Sequence, residues 1–128
     1  MKLPLDTHTF LWAVATPRKM SARAATALRN RSNDLHLSAA SVWEMAIKRS
    51  LGKLETDIPL SDLIAQGREK IQLRLLDMTT AHAASVEALP FHHKDPFDRL
   101  LIAQALREEM TIVGADGRFD SYGVKRVW

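Results

Sequence analysis

Four acids, Asp6, Glu44, Asp98 and Asp116, are the residues of this 128-residue chain best placed to do chemistry. Carboxylates gathered in one crevice repel each other and hold each other's protons. A hard divalent cation with oxygen ligands removes that penalty, and Mg2+ or Mn2+, keeping several waters, suits an all-carboxylate set best. Such a centre supports hydrolysis of a phosphoryl ester by metal-activated water. Each acid taken alone also has a structural use. Asp6 can be an N-cap, and Ser41-Val42-Trp43-Glu44 matches the S-x-x-E capping box. Asp98 can complement a helix dipole and Asp116 can be a turn residue before Gly117. Context favours chemistry at two of them. Asp98 precedes Leu101 and Ile102 by three and four residues, on a stripe that is otherwise apolar. Glu44 has Ile47 and Leu51 on its own face, with Lys48 at i+4 offering an ion pair. An ionised carboxylate on an apolar face is costly without a partner.

The elements that must position these acids alternate between strand and helix. Lys2 to Leu5 reads as a first strand ending at Asp6, and Thr7 to Val14 as a helix broken by Pro17. Ser21 caps a helix over Ala22 to Arg31, and Leu35 to Leu37 is a short strand. Ser41 is expected to open a third helix, placing Glu44 in its first turn, with the helix running to about Leu51 before Gly52. Helices are predicted over Leu60 to Lys70 and Thr80 to Leu89, with a strand over Ile71 to Leu76 between them. Asp95-Pro96 has the preferred N-cap and N1 residues for a helix running to about Met110. Thr111 to Val113 is a strand, Asp116 to Ser121 a helical turn, and Val124 to Val127 a last strand. This alternation predicts an α/β fold, helices on both sides of a mainly parallel sheet, in a single domain over residues 1–128. Strand C-termini and the starts of following helices then share one edge, where ligands usually bind, and all four acids fall on it.

Composition narrows the setting. Cysteine is absent, which excludes disulfides, thiolate zinc sites and cysteine nucleophiles. No apolar run has the length of a signal peptide or a membrane span, so a soluble, cytoplasmic protein is expected. The net charge is +3, but the segment from Arg18 to Lys53 carries eight Lys and Arg against Asp34 and Glu44. That is +6 locally, leaving −3 for the rest, a distribution suited either to an anionic polymer or to a solvated helix face.

Several further residues have expected roles. Asp95 supports the site as a cap, and the Thr7 hydroxyl is placed to orient Asp6 or a water. Lys48, Arg49 and Lys53 follow Glu44 and are the candidates for phosphate contacts. His92 and His93 point in different directions and are expected in an exposed loop. Trp12 and Trp43 are expected to fill core or dimer surface, and Trp128 to cover the sheet edge.

With these residues placed, the chain resembles the PIN-domain family over essentially its whole length, and within it the VapC-like toxins of type II toxin–antitoxin systems. The resemblance is carried by Leu5-Asp6-Thr7-His8, by Ser38 to Ala46 with Gly52-Lys53-Leu54 behind it, by Asp95-Pro96-Phe97-Asp98-Arg99 to Ala105, and by Val113-Gly114-Ala115-Asp116. It implies a three-layer fold and an acidic metal site of Asp6, Glu44, Asp98 and Asp116. It also implies cleavage of RNA, a small antitoxin partner and a homodimer. Gly114 departs from the pattern, since many relatives carry threonine or serine there. A PIN-type RNA-processing nuclease outside any toxin system is the alternative. A receiver-like Mg2+-binding signalling domain would need paired acids after the first strand and a late lysine, and Asp6 has no acidic neighbour. A basic DNA-binding module would give Asp98 no task.

Overall fold

Every strand of the sheet runs in the same direction. The computed structural model describes residues 1–128 and places five parallel strands in the order β3-β2-β1-β4-β5. These are β1 (Lys2–Leu5), β2 (Asp34–Ser38), β3 (Arg74–Leu76), β4 (Thr111–Val113) and β5 (Lys125–Val127). Register is fixed by pairs such as Leu5 with Leu37 and Leu5 with Val113. The helices are α1 (Thr7–Ala15), α2 (Ala22–Arg29), α3 (Ala39–Ser50), α4 (Leu60–Lys70), α5 (Thr80–Ser85) and α6 (Pro96–Arg107).

The two faces of the sheet bury separate cores, because successive side chains on a strand point to opposite sides. On one face Leu3, Leu5, Leu35, Leu37 and Val113 meet Phe10 of α1, Met45 of α3 and Leu63 of α4. On the other, Ile112 meets Leu101, Ile102 and Ala105 of α6 together with Phe119 and Val124. The result is the three-layer α/β/α arrangement expected from the strand–helix alternation.

The strand order also locates the functional edge. The chain winds from β1 through β2 to β3 on one side, then returns to place β4 on the other side of β1. The crevice beyond the C-terminal ends of β1 and β4 is therefore the topological switch point, the usual ligand site of open α/β sheets. Receiver domains use the order 2-1-3-4-5, so this topology rules out the receiver alternative.

Five boundaries differ from expectation by two residues or more, the first being β3, which begins at Arg74 and not at Ile71. Helix α3 begins at Ala39 with Ser38 as its N-cap, not at Ser41. Helix α2 ends at Arg29, and the helix expected over Thr80 to Leu89 tightens into a 3₁₀ turn after Ser85. Helix α6 stops at Arg107 because Glu109 adopts a left-handed φ of 53° that reverses the chain into β4.

Candidate active site

Asp6 follows β1 directly, and its carboxylate accepts a 2.8 Å hydrogen bond from the backbone N–H of Thr9. It therefore caps α1 while sitting at the switch point. Burial raises its carboxyl above the ordinary value, with the charge of Glu44 adding to the shift and the Thr9 bonds opposing it. The carboxylate leans over Gly114. A Cβ on that glycine would lie 2.6 Å from Asp6 Oδ2 and 2.9 Å from its Cγ, so this placement of Asp6 requires a residue without a side chain. A larger residue at position 114 would have to displace the Asp6 carboxylate.

Glu44 is buried in the second turn of α3, because the N-cap is Ser38, three residues before Ser41. The capping box is not formed. Instead Glu44 Oε1 accepts from the Thr7 hydroxyl at 2.6 Å and Oε2 from Lys48 Nζ at 2.6 Å. Thr7 therefore orients Glu44 rather than Asp6. Ser38 sets the position of α3 twice over, since its hydroxyl caps Ala40 N–H and also donates to Gln104 Oε1 of α6. That bridge ties the helix bearing Glu44 to the helix bearing Asp98.

Asp98 lies in the first turn of α6, where Asp95 accepts from the N–H groups of Phe97 and Asp98 at 2.8 and 3.2 Å. Asp95 is the cap it was expected to be. The Asp98 side chain is 22% exposed. Burial first, then the charges of Asp95, Glu44, Asp6 and Asp116, push its carboxyl up to about 7. That all four neighbours act on it places Asp6 and Asp98 at one edge, together with Glu44 and Asp116. Asp116 follows β4 and is held at about 2, chiefly by the Arg118 guanidinium, which grips both its oxygens at 2.8 to 3.1 Å.

His93, expected in an exposed loop, is 3% exposed and belongs to this cluster. Its Nε2 lies 2.9 Å from Asp98 Oδ2 and 3.3 Å from Asp116 Oδ2. The His93, Asp98 and Asp116 donor atoms fall within 4.8 Å of one another, close enough to share one ion. The loop carrying His93 is fastened by buried Arg99, which donates to the carbonyls of Pro90, Leu89 and Val86 and to the Tyr122 hydroxyl. His92 is exposed and packs edge-on to Tyr122, outside the cluster.

The basic residues are less concentrated than their sequence run implies. Lys48 faces the acids: its hydrogen bond to Glu44 raises its pKa most, and Asp95 and Asp98 contribute. Arg49 lines a separate cleft with Gly52, Glu55 and Asp57. Lys53 is exposed past the end of α3. Arg29 and Arg31 lie just before β2, at the opposite edge of the sheet from the acids. Trp43 is 57% exposed and meets the Phe97 ring edge-on at 5.2 Å, so it is not core. Trp12 and Trp128 pack on each other at 5.5 Å, beside the last strand as expected.

Comparison with known proteins bears on the family and the fold. The family model for the PIN domain matches residues 4–125. The chain is 30% identical over 119 residues to Ribonuclease VapC22 of Mycobacterium tuberculosis, covering 92% of this chain and 89% of that protein. Among solved structures, it is similar to VapBC2 from Rickettsia felis bound to a promoter DNA fragment, with a TM-score of 0.63 and 13% identity over 98% of this chain and 97% of that one. It is also similar to DNA-bound VapBC from Salmonella typhimurium, with a TM-score of 0.64 and 18% identity over 98% and 96% of the two chains. At these identities the structural likeness speaks for the fold alone.

Proposed function

The chain belongs to the PIN-domain family, and from that premise we propose that it is a metal-dependent endoribonuclease, the toxin of a type II toxin–antitoxin pair. The observation that carries the reading is the convergence of Asp6, Glu44, Asp98 and Asp116 on one edge, with Asp98 so crowded that its carboxyl rises to about 7. Four carboxylates serve no structural purpose together that one or two would not serve at lower cost.

The donor set fits a hard cation. Asp6, Asp98 and Asp116 offer carboxylate oxygens from three separate elements, the chemistry that Mg2+ or Mn2+ takes. Bound there, the ion would supply an acidified water as nucleophile and offset charge on the phosphodiester undergoing attack. The chain's own residues do the rest. Asp6, fixed by Thr9 and by the space above Gly114, holds one side of the centre. Glu44, fixed by Thr7 and Lys48, stands beside the centre. Asp98 would hold the ion as a carboxylate, its proton having passed to solvent. Lys48, with Arg49 and Lys53 further along, is proposed to meet the RNA backbone.

The partners follow from the same reading: an antitoxin protein, a second copy of the chain, and RNA in the cytoplasm. The chain has no helix long and apolar enough to cross a membrane. An apolar strip of Val42, Trp43, Ala46, Ile64 and Leu75 beside α3 supports a protein partner. A PIN nuclease of RNA processing would share the chemistry and differ in effect on growth.

The test is cleavage of RNA by purified protein with Mg2+ or Mn2+. Wild type is expected to cut, chelator to stop it, and Asp6→Asn to be inactive while still folded. Cleavage that persists in Asp6→Asn, or in chelator, would refute the metal reading. Induced expression that leaves growth untouched would refute the toxin role and leave the nuclease standing.

A further inference from the structure

His93 is buried, rigidly held and unpartnered at the one atom that faces the acids. Its backbone N–H donates to the Tyr122 hydroxyl at 2.8 Å, and its carbonyl faces Arg99 Nη1 at 3.5 Å. Its Nδ1 accepts from the backbone N–H of Asp95 at 3.1 Å. The backbone contacts fix the residue, and the Nδ1 bond fixes the ring that it carries. Its Nε2 has no aligned hydrogen-bond partner, although Asp98 Oδ2 and Asp116 Oδ2 stand 2.9 and 3.3 Å away.

Two roles fit an imidazole nitrogen at that spot, and they require opposite protonation. Ligands in adjacent positions of an octahedral ion, each at about 2.1 Å, lie about 3 Å apart, so the spacing alone would admit Nε2 as a direct ligand. A ligating nitrogen must be bare, and the other ring nitrogen of a metal-bound histidine ordinarily donates its N–H to an acceptor. Here the other nitrogen, Nδ1, faces a backbone donor. A proton on Nδ1 would point at the Asp95 N–H, so the proton belongs on Nε2.

We propose that His93 is a positioning residue of this centre: its Nε2–H is a fixed buried donor that steers the carboxylates of Asp98 and Asp116 toward a shared cation. Neither carboxylate is aligned with it now. Both oxygens are already within reach of the N–H, at 2.9 and 3.3 Å, so alignment needs reorientation and not approach. The site would then comprise carboxylate ligands backed by a neutral donor, and Asp95, Arg99 and Tyr122 would matter because they lock that donor in place. The inference rests on the metal reading of the acidic edge.

The decisive experiment is long-range proton–nitrogen NMR of the whole protein, labelled with 15N at histidine, before and after saturation with Mg2+. His93 is expected to show the Nε2–H tautomer in both states, with its Nε2 resonance moved by Mg2+. Loss of the Nε2 proton on adding Mg2+ would make His93 a ligand and overturn the proposal, as would an Nε2 signal indifferent to Mg2+. In parallel, Mn2+ affinity is measured by electron paramagnetic resonance, without reference to activity. His93→Leu is expected to weaken binding by about tenfold, as loss of such supporting contacts commonly does. His93→Gln, which offers an N–H at a similar reach, is expected to recover most of it with an unchanged melting temperature. Equal affinity in wild type and His93→Leu, or an equal loss in both variants, would overturn the proposal. Wild type that binds neither ion would instead remove the metal reading and this inference with it, whereas normal binding lost only in Asp98→Asn would preserve the reading.

Discussion

The two halves of the acidic edge are built on different principles. On the β1 and α3 side, each carboxylate is answered from within the chain: Asp6 by the Thr9 N–H, Glu44 by the Thr7 hydroxyl and the Lys48 ammonium. On the α6 and β4 side the charges are unevenly met. Asp116 is gripped by an exposed arginine, while Asp98 lies among four other acids and its carboxylate accepts no aligned hydrogen bond. Folding alone would favour matching Asp98 with a donor, as it did Glu44. On the proposed metal reading, that unanswered carboxylate is where an outside cation would supply the missing neutralisation.

The largest effect expected from this contrast is on catalysis. Asp98→Ala should lower single-turnover RNA cleavage by about a thousandfold or more, as loss of a principal electrostatic contact does. Asp116→Ala should cost at least roughly tenfold less, because Asp116 is already committed to Arg118. Equal losses would erase the distinction between the two carboxylates.

The next effect is on stability and has the opposite sign. An unfolded Asp98 ionises near 3.8, whereas the folded one holds its proton to about 7. The stability this proton confers is fully present below about pH 4 and is lost as pH rises through 7. Asp98→Asn carries no such loss. Metal-free Asp98→Asn should therefore be more stable than wild type at pH 8, by up to about 4 kcal/mol for a shift of three units, with the advantage shrinking toward pH 4. Denaturant melts at the two pH values check this, and a variant less stable than wild type at pH 8 would show that Asp98 is not crowded.

The smallest effect concerns the latch on Asp116. Arg118→Ala should leave the melting temperature unchanged, since the arginine is exposed, and should strengthen Mn2+ binding a few-fold by releasing the carboxylate. Weaker binding in calorimetry would mean that the guanidinium assists the centre instead of competing with it.

The sheet and the meeting of the acids were legible because both rest on local chemistry. Asp95-Pro96 announces the start of α6, and Asp6 closes a short apolar strand, so each acid's place on the edge follows from strand–helix alternation. What escaped was decided by contacts distant in sequence. Ser38 and Ser41 are equally good caps, and the choice of Ser38 is fixed by its hydrogen bond to Gln104, 66 residues away. Nothing in Glu109 marks a left-handed residue, yet its φ of 53° ends α6 early. The burial of the His93 loop is not legible locally because it comes from Arg99 and from Tyr122 across the chain. The basic run misled for a related reason, since residues near in sequence were carried to opposite edges of the sheet.

The most direct test is a crystal soaked in Mn2+ and read by anomalous scattering. A peak within about 2.2 Å of carboxylate oxygens from both Asp6 and Asp98 is expected, with Asp116 or Glu44 completing the set directly or through water. Fully occupied Mn2+ elsewhere on the molecule, with this edge bare, would contradict the claim that one cation joins acids so far apart in the chain.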